Sequence, residues 1–449
     1  MKNEKLEMNK MIKYAMSLLM VMTFCLPNMQ AQIVKNQENQ DVLVNDANPE
    51  QDEEVVEDSE DSAMADSAMV ETIAADTLRL PWTETVKVGL DKLLKSKMFE
   101  TSQVGIMVWD LETDSCIYRF RERQLMRPAS TMKLVTAITA LDKLGGSYQF
   151  KTTLKYTGTI DNGVLKGDVY CIGGMDPRFN NDDMTAFVTS LKDMGVDSIQ
   201  GSIYADRSMK DEDLLGEGWC WDDDNPVLSP LVFGRKDIFM ERFLAKLKDA
   251  GIFYAGSGTS VKRCPASAFT ICTRFHTMDQ ILHKMMKDSD NLYAESMYYQ
   301  IASSTGNRPA SAKSARNVQR QLVRKIGLDP ARYKFADGSG LSLYNYVSAE
   351  LEVKLLRYAY QDENILPHLK QSLPIAGVDG TLKRRMRSGF AHGNVKAKTG
   401  TVTGVIGLAG YCKAANGHDL CFSILNNGIM HSNNARSFAD KVCELLCQP

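Results

Sequence analysis

Long apolar runs are scarce in this chain of 449 residues. After the stretch from Ala15 to Leu26, no segment reaches the roughly 18 apolar residues that a membrane-spanning helix needs. There is no Cys-x-x-Cys and no Cys/His cluster with zinc spacing, which excludes the common structural-zinc modules and leaves no call for a metal or a cofactor. Only 31 Gly and 13 Pro are present, too few for a collagen-like or low-complexity chain. The net charge is only -3, which gives no reason to expect a nucleic-acid partner. With 44% apolar residues at this length, the chain can fill two or three globular cores.

The small net charge conceals an uneven distribution. Residues 1–31 carry four Lys and two Glu, residues 32–77 carry one Lys and fourteen acids, and the remaining 372 residues therefore stand at +8. Lys10 and Lys13 precede the apolar run, which has signal-peptide length, and Ala31 offers a small residue for cleavage. The reading is an export signal over 1–31 and a periplasmic or otherwise extracytoplasmic mature protein with no membrane span. A lipoprotein acylated at Cys25 would need a small residue where Phe24 stands. Residues 32–80 are acidic and poor in apolar periodicity, and are expected to form a disordered linker.

Nine cysteines remain after such cleavage. Leu408–Cys412 and Leu420–Leu425 read as strands around Asn416-Gly417, where a two-residue type I′ turn would set Cys412 opposite Cys421. That register leaves two readings, a cross-strand disulfide or two buried thiols.

The chemistry starts at Ser130-Thr131-Met132-Lys133. Leu134, Ile138 and Leu141 recur at helical spacing and Gly145-Gly146 ends the run, so Ser130 and Lys133 share one helix face. A hydroxyl is a poor nucleophile near neutrality, and a partly buried Lys amine beside it can take its proton. Ser-x-x-Lys alone has about two chance matches in a chain of this length. Ser289-Asp290-Asn291 at a junction between helices, and Lys398-Thr399-Gly400 opening a Gly-rich strand, each have a chance expectation of about 0.1, so the ordered set is specific.

This triple resembles the serine penicillin-recognising enzymes. More narrowly, the chain resembles the D-alanyl-D-alanine carboxypeptidase/endopeptidases, the class C low-molecular-weight penicillin-binding proteins. The narrower match rests on Tyr148 to Leu154, Asn162 to Asp168, Gly173-Gly174-Met175-Asp176-Pro177, Gly218-Trp219-Cys220-Trp221-Asp222-Asp223, Asp337-Gly338-Ser339-Gly340-Leu341-Ser342 and Ala376 to Leu382, all in family order from about residue 85 onward.

The resemblance implies a serine β-lactamase/transpeptidase-like α/β fold, an antiparallel sheet flanked by helices and split over 81–147 and 276–449. A β-rich domain over 148–275 would be inserted, because 159 positions separate Ser130 from Ser289. It implies hydrolysis of D-Ala-D-Ala on peptidoglycan stem peptides, with cleavage of cross-links and acylation by β-lactams. Ser130 would be the nucleophile and Lys133 its base. Ser289 would relay protons, Asn291 would hold the substrate amide, and Lys398 with Thr399 would bind the terminal carboxylate. The backbone N–H groups of Ser130 and Thr401 would form the oxyanion hole. Gly400 and Asp290 would serve geometry.

In the resembled enzymes an acid two residues after the second Trp reads an ammonium, and Asp223 holds that place. Two positions depart from better-known members: Leu343 stands where Arg can follow Gly-Leu-Ser, and Thr403 stands where Gln can follow the third motif. No clear counterpart exists to the deacylating Glu of class A β-lactamases; Glu217 and Glu295 are the nearest candidates. The other readings to be tested are a serine β-lactamase and a non-catalytic cell-wall-binding module. The oligomeric state is left open.

Overall fold

The computed structural model describes residues 81–221, 225–255 and 260–449, which lie within one compact unit. The expected export signal of 1–31 with Cys25, the acidic linker 32–80 and Asp223 fall outside the described residues. The chain begins with α1 (Trp82–Leu93), β1 (Gln103–Asp110), β2 (Ser115–Phe120) and α2 (Met132–Leu144). A second group follows: β3 (Gln149–Tyr156), β4 (Thr159–Asp161), β5 (Val164–Lys166), β6 (Val169–Ile172), α3 (Asn181–Asp193), β7 (Ser198–Ile199), β8 (Ile203–Asp206), α4 (Phe239–Asp249), β9 (Phe253–Tyr254), β10 (Ser260–Val261) and β11 (Phe269–Thr277). The remainder holds α5 (Met278–Lys287), α6 (Asn291–Ser303), α7 (Ala312–Lys325), α8 (Ala349–Tyr360), α9 (Leu366–Ser372), β12 (Lys396–Val402), β13 (Val405–Lys413), β14 (Asp419–Asn427) and α10 (Ser432–Cys447).

The first sheet runs β12-β13-β14-β1-β2 and is antiparallel throughout. Its central strands read as continuous apolar runs because helices cover both faces. Ala409, Tyr411, Cys421 and Leu425 enter the core shared with α2, α5, α6 and α8, whereas Leu408, Cys412, Leu420 and Phe422 enter the core shared with α1 and α10. Every residue of β13 except Lys413 is buried.

That alternation corrects the cysteine register. Tyr411 pairs with Cys421 and Cys412 with Leu420. The turn holds three residues, Ala415-Asn416-Gly417, with Gly417 at φ 87° and Ala414 N donating to His418 O at 2.9 Å. A three-residue loop ending in a left-handed Gly shifts the pairing by one residue relative to a two-residue turn, and a one-residue shift moves a side chain to the opposite face. Cys412 and Cys421 therefore face different cores, and both are free thiols.

Residues 149–277 form a second layer system with its own apolar cluster. One sheet runs β10-β8-β6-β3-β11 and the other β4-β5-β7-β9. The amphipathic helices α3 and α4 accompany the parallel pairings of β6 with β8 and of β7 with β9. Asn180 and Asp183 form a capping box at the start of α3. The chain enters this unit along β3 and leaves along its antiparallel neighbour β11, with Gln149 opposite Thr277, so the two crossings stand side by side. Thr277 and Gln280 then cap α5. Among the described residues no helix is long and apolar enough to cross a membrane.

Candidate active site

Ser130 sits half-exposed in a single 3-10 turn, Ala129–Thr131, that leads into α2. Ala129 adopts φ 48°, an uncommon value for a residue with a Cβ, and is held there by close packing. A Cβ at Gly340 would collide with the Ala129 carbonyl oxygen, and one at Gly400 would stand 2.5 Å from the Pro128 oxygen. The glycines of the second half of the chain thus let two backbones approach the turn. Asn427 clamps the turn from β14, accepting from Arg127 N at 2.8 Å and donating to Arg127 O at 3.1 Å.

One turn along, Lys133 is fully buried. Its Nζ lies 3.0 Å from Ser130 Oγ, 2.7 Å from Asn291 Oδ1 and 2.9 Å from Ser339 O. Two of these neighbours are pure acceptors. A neutral amine has two hydrogens for them and one lone pair left for the Ser130 hydroxyl, so the geometry suits a base. Burial pushes the Lys133 pKa down to about 8, against the opposing charges of Asp337, Asp290 and Glu295.

The second motif forms the start of α6. Ser289 has φ 61°, and Asp290 is the cap, accepting from Tyr293 N at 3.2 Å and pairing with Arg235 at 3.2 Å. The cap sets the direction of Asn291 toward Lys133. Lys398, buried on β12, donates to Ser289 Oγ at 2.8 Å and to Thr399 O at 3.0 Å. Thr399 Oγ1 donates to Thr381 Oγ1 at 2.8 Å, and Thr401 is exposed on the same strand. Ser130, Lys133 and Asn291 are thus hydrogen-bonded in one group, and Ser289 with Lys398 in a second joined to it through the neighbouring residues of the second motif.

The Asp337 loop closes the back of this group. Asp337 accepts from Gly340 N, Ser342 N, Asn345 Nδ2 and Trp219 Nε1 at 2.7–2.9 Å. Glu295 of α6 accepts from Gly338 N at 3.0 Å and Ser339 N at 2.7 Å, and burial pushes its pKa up to about 8. This orients the Ser339 carbonyl that meets Lys133. Glu217 pairs with Arg316 at 2.6 Å. Both acids considered for a deacylating water therefore have structural partners. Trp221 is 84% exposed, and Leu343 and Thr403 are exposed as well.

Sequence reading missed Ser339, Thr381 and Glu352 as individual contributors. Glu352 is fully buried behind the serine turn, bonded to Thr131 and Ser423. Its signal was available: it stands three and four residues before Leu355 and Leu356, on the apolar stripe of α8. Among the described residues no group of three or more His, Cys, Asp or Glu could hold a metal ion.

A family model for the D-Ala-D-Ala carboxypeptidase 3 (S13) family matches residues 86–233 and 231–448. The chain belongs to that family. Among curated proteins, the D-alanyl-D-alanine carboxypeptidase DacB of Haemophilus influenzae is 26% identical over 419 residues, covering 75% of this chain and 87% of that protein. A D-alanyl-D-alanine carboxypeptidase of an Actinomadura species is 27% identical over 446 residues, covering 78% and 82%. The crystal structure of penicillin binding protein 4 from Haemophilus influenzae superposes with TM-score 0.72 at 24% identity, over 79% of this chain and 97% of that one, which shows a shared fold. The S13 chain described here is accordingly a serine-type D-Ala-D-Ala carboxypeptidase with the α/β architecture of penicillin-binding proteins.

Proposed function

We propose that this S13 enzyme cleaves the terminal D-Ala-D-Ala bond of peptidoglycan stem peptides, and D-alanyl cross-links between them, through an acyl-enzyme on Ser130. The observation that carries the reading is a fully buried Lys133 amine 3.0 Å from a half-exposed serine hydroxyl, with its two other contacts to pure acceptors. Lys133 takes the Ser130 proton as Oγ attacks the carbonyl of the penultimate D-alanine. The backbone N–H groups of Ser130 and Thr401 stabilise the oxyanion, which exists only in the tetrahedral state. Ser289, bonded to Lys398, passes the proton to the leaving amine, and Asn291 holds the substrate amide. Lys398 and Thr399 bind the leaving carboxylate. Water then hydrolyses the ester. Gly400 supports this arrangement by its close packing on the serine turn, and Asp223 is assigned to an ammonium on the stem peptide's diamino acid.

β-Lactams mimic the dipeptide and acylate the same serine. The export reading of residues 1–31 places the enzyme outside the cytoplasm, where the substrate resides. The decisive experiment incubates purified mature protein with defined monomeric and cross-linked muropeptides, with and without penicillin, and identifies products by mass. Loss of D-alanine from monomers and scission of dimers, both blocked by penicillin and by Ser130→Ala, support the reading. Rapid penicillin turnover without peptide cleavage would indicate a β-lactamase, and muropeptide profiles identical for active protein and Ser130→Ala would indicate a binding module.

A further inference from the structure

Thr131 follows the nucleophile, and its hydroxyl presents a counting problem. Oγ1 lies 2.9 Å from the Pro128 carbonyl oxygen and 2.5 Å from Glu352 Oε1. A hydroxyl has one hydrogen, and a carbonyl and a carboxylate are both acceptors, so an ionised Glu352 would leave one of these contacts without a proton. All are satisfied when Oε1 carries a proton: it donates to Thr131 Oγ1, Thr131 donates to Pro128 O, and Ser423 Oγ donates to Glu352 Oε2 at 2.7 Å. The site is sealed, since Glu352, Thr131 and Ser423 are all fully buried.

We propose that Glu352 is a positioning residue that works as a neutral carboxylic acid, donating its proton to Thr131 and so fixing the Pro128–Thr131 turn on which Ser130 stands. The proposal rests on the reading of Ser130 as nucleophile. Burial raises the Glu352 pKa to about 7, with only the Thr131 and Ser423 hydroxyls opposing. Titratable groups on each element packed against α8 have partners of their own, and on α2 Asp142 pairs with Lys325 at 2.6 Å. Lys133 of α2 is bound as described, Cys421 of β14 faces the Val353 carbonyl, and Tyr411 of β13 donates to Leu356 O at 2.7 Å. Asp110 of β1 pairs with His418 at 2.8 Å; on α9 His368 pairs with Asp279 at 2.5 Å and Lys370 lies 3.8 Å from Asp419. On α8 itself Glu350 lies 3.3 Å from Arg123, and Arg357 pairs with Asp114. None of these charges contributes to the shift at Glu352. Ionisation above neutrality therefore releases the Glu352 proton, breaks the chain of bonds at Thr131 and lowers the acylation rate of Ser130.

Glu352→Gln tests this, because its amide donates to Thr131 and accepts from Ser423 but does not titrate. The acylation rate by a fluorescent penicillin is measured for both proteins from pH 6 to pH 9. Lys133 titrates in both and largely cancels from the ratio. The ratio of variant to wild-type rate is expected to rise about tenfold between pH 6 and pH 8, as the active fraction of the wild type falls. A ratio independent of pH overturns the proposal. Infrared difference spectra supply a readout independent of activity: a protonated-carboxyl band lost above neutrality, and absent from the variant, supports it, and identical spectra for the two proteins overturn it. If the wild type is not acylated at any pH, the Ser130 reading fails, and the infrared comparison still decides the protonation of Glu352.

Discussion

Lys133 shows how one side chain acquires a role that its composition does not supply. A solvated Lys titrates near 10.4 and is almost wholly protonated at pH 7. Burial inside α2 pulls this one to about 8, so a useful fraction is neutral under physiological conditions. The neutral form is the base, so the acylation rate should increase with pH up to about 7, nearly tenfold between pH 5.5 and pH 6.5, in stopped-flow assays with a β-lactam, and level off above neutrality as Glu352 ionises. Lys133→Arg preserves a cation but cannot surrender its proton near neutrality, and acylation should fall by about 10²- to 10⁴-fold. A rate equal to wild type in Lys133→Arg would exclude Lys133 as the base. The role was legible from Ser130-x-x-Lys133 because three residues bring two side chains to one face of a helix. The Ser339 carbonyl that meets the amine, and Glu295 that holds the Ser339 loop, were not, because they lie on a loop and a helix about 160 to 210 positions away and no local periodicity announces such contacts.

At the level of elements, the serine turn and β12 meet through Gly400. Its missing side chain leaves room for Pro128 O and the Thr131 backbone, whose N would be 3.2 Å from an added Cβ. In Gly400→Ala the contact is with backbone atoms, which cannot rotate away, so the strand must withdraw from the turn. Unfolding free energy should fall by about 1–3 kcal/mol in denaturant titrations and penicillin acylation should slow markedly. A variant with wild-type acylation would show that the approach is not needed for the reaction.

The β13–β14 hairpin illustrates the opposite case, in which strands were legible and register was not. Asn-Gly signals a turn, but turn length depends on which residues flank it, and here Ala415 joins the loop to give three residues. The two apolar faces then separate Cys412 from Cys421. Intact mass should be unchanged by reduction of the folded protein at these positions, and both thiols should be alkylated only after unfolding. A fragment linking Cys412 to Cys421 in a non-reducing digest would contradict the observed register.

For the molecule as a whole, the central question is how residues 149–277 are joined to the layers that carry the three motifs, all of which lie outside them. The crossings at Gln149 and Thr277 are reinforced by polar contacts that sequence alone could not pair. Tyr148 donates to Gln300 Oε1 at 2.8 Å, Gln300 Nε2 bonds to the Gly174 carbonyl, and Met278 N donates to Tyr148 O at 2.9 Å. Next to them the buried Asp176 of Gly173-Gly174-Met175-Asp176-Pro177 meets His276 Nδ1 at 2.7 Å, and Arg274 reaches Asp183 at 2.7 Å. The segment around Asp176 was legible as a family signature, whereas its partner lies 100 residues away at the end of an exposed strand. Removing one member of a buried polar pair leaves the other short of its main partner, so Asp176→Ala and His276→Ala should each destabilise by about 1–3 kcal/mol. The double variant should lose much less than the sum of the two, because neither group is then stranded. Denaturant unfolding of the four proteins measures the coupling. Additive losses would mean that the contact at 2.7 Å carries no interaction energy and that the join depends on its other contacts.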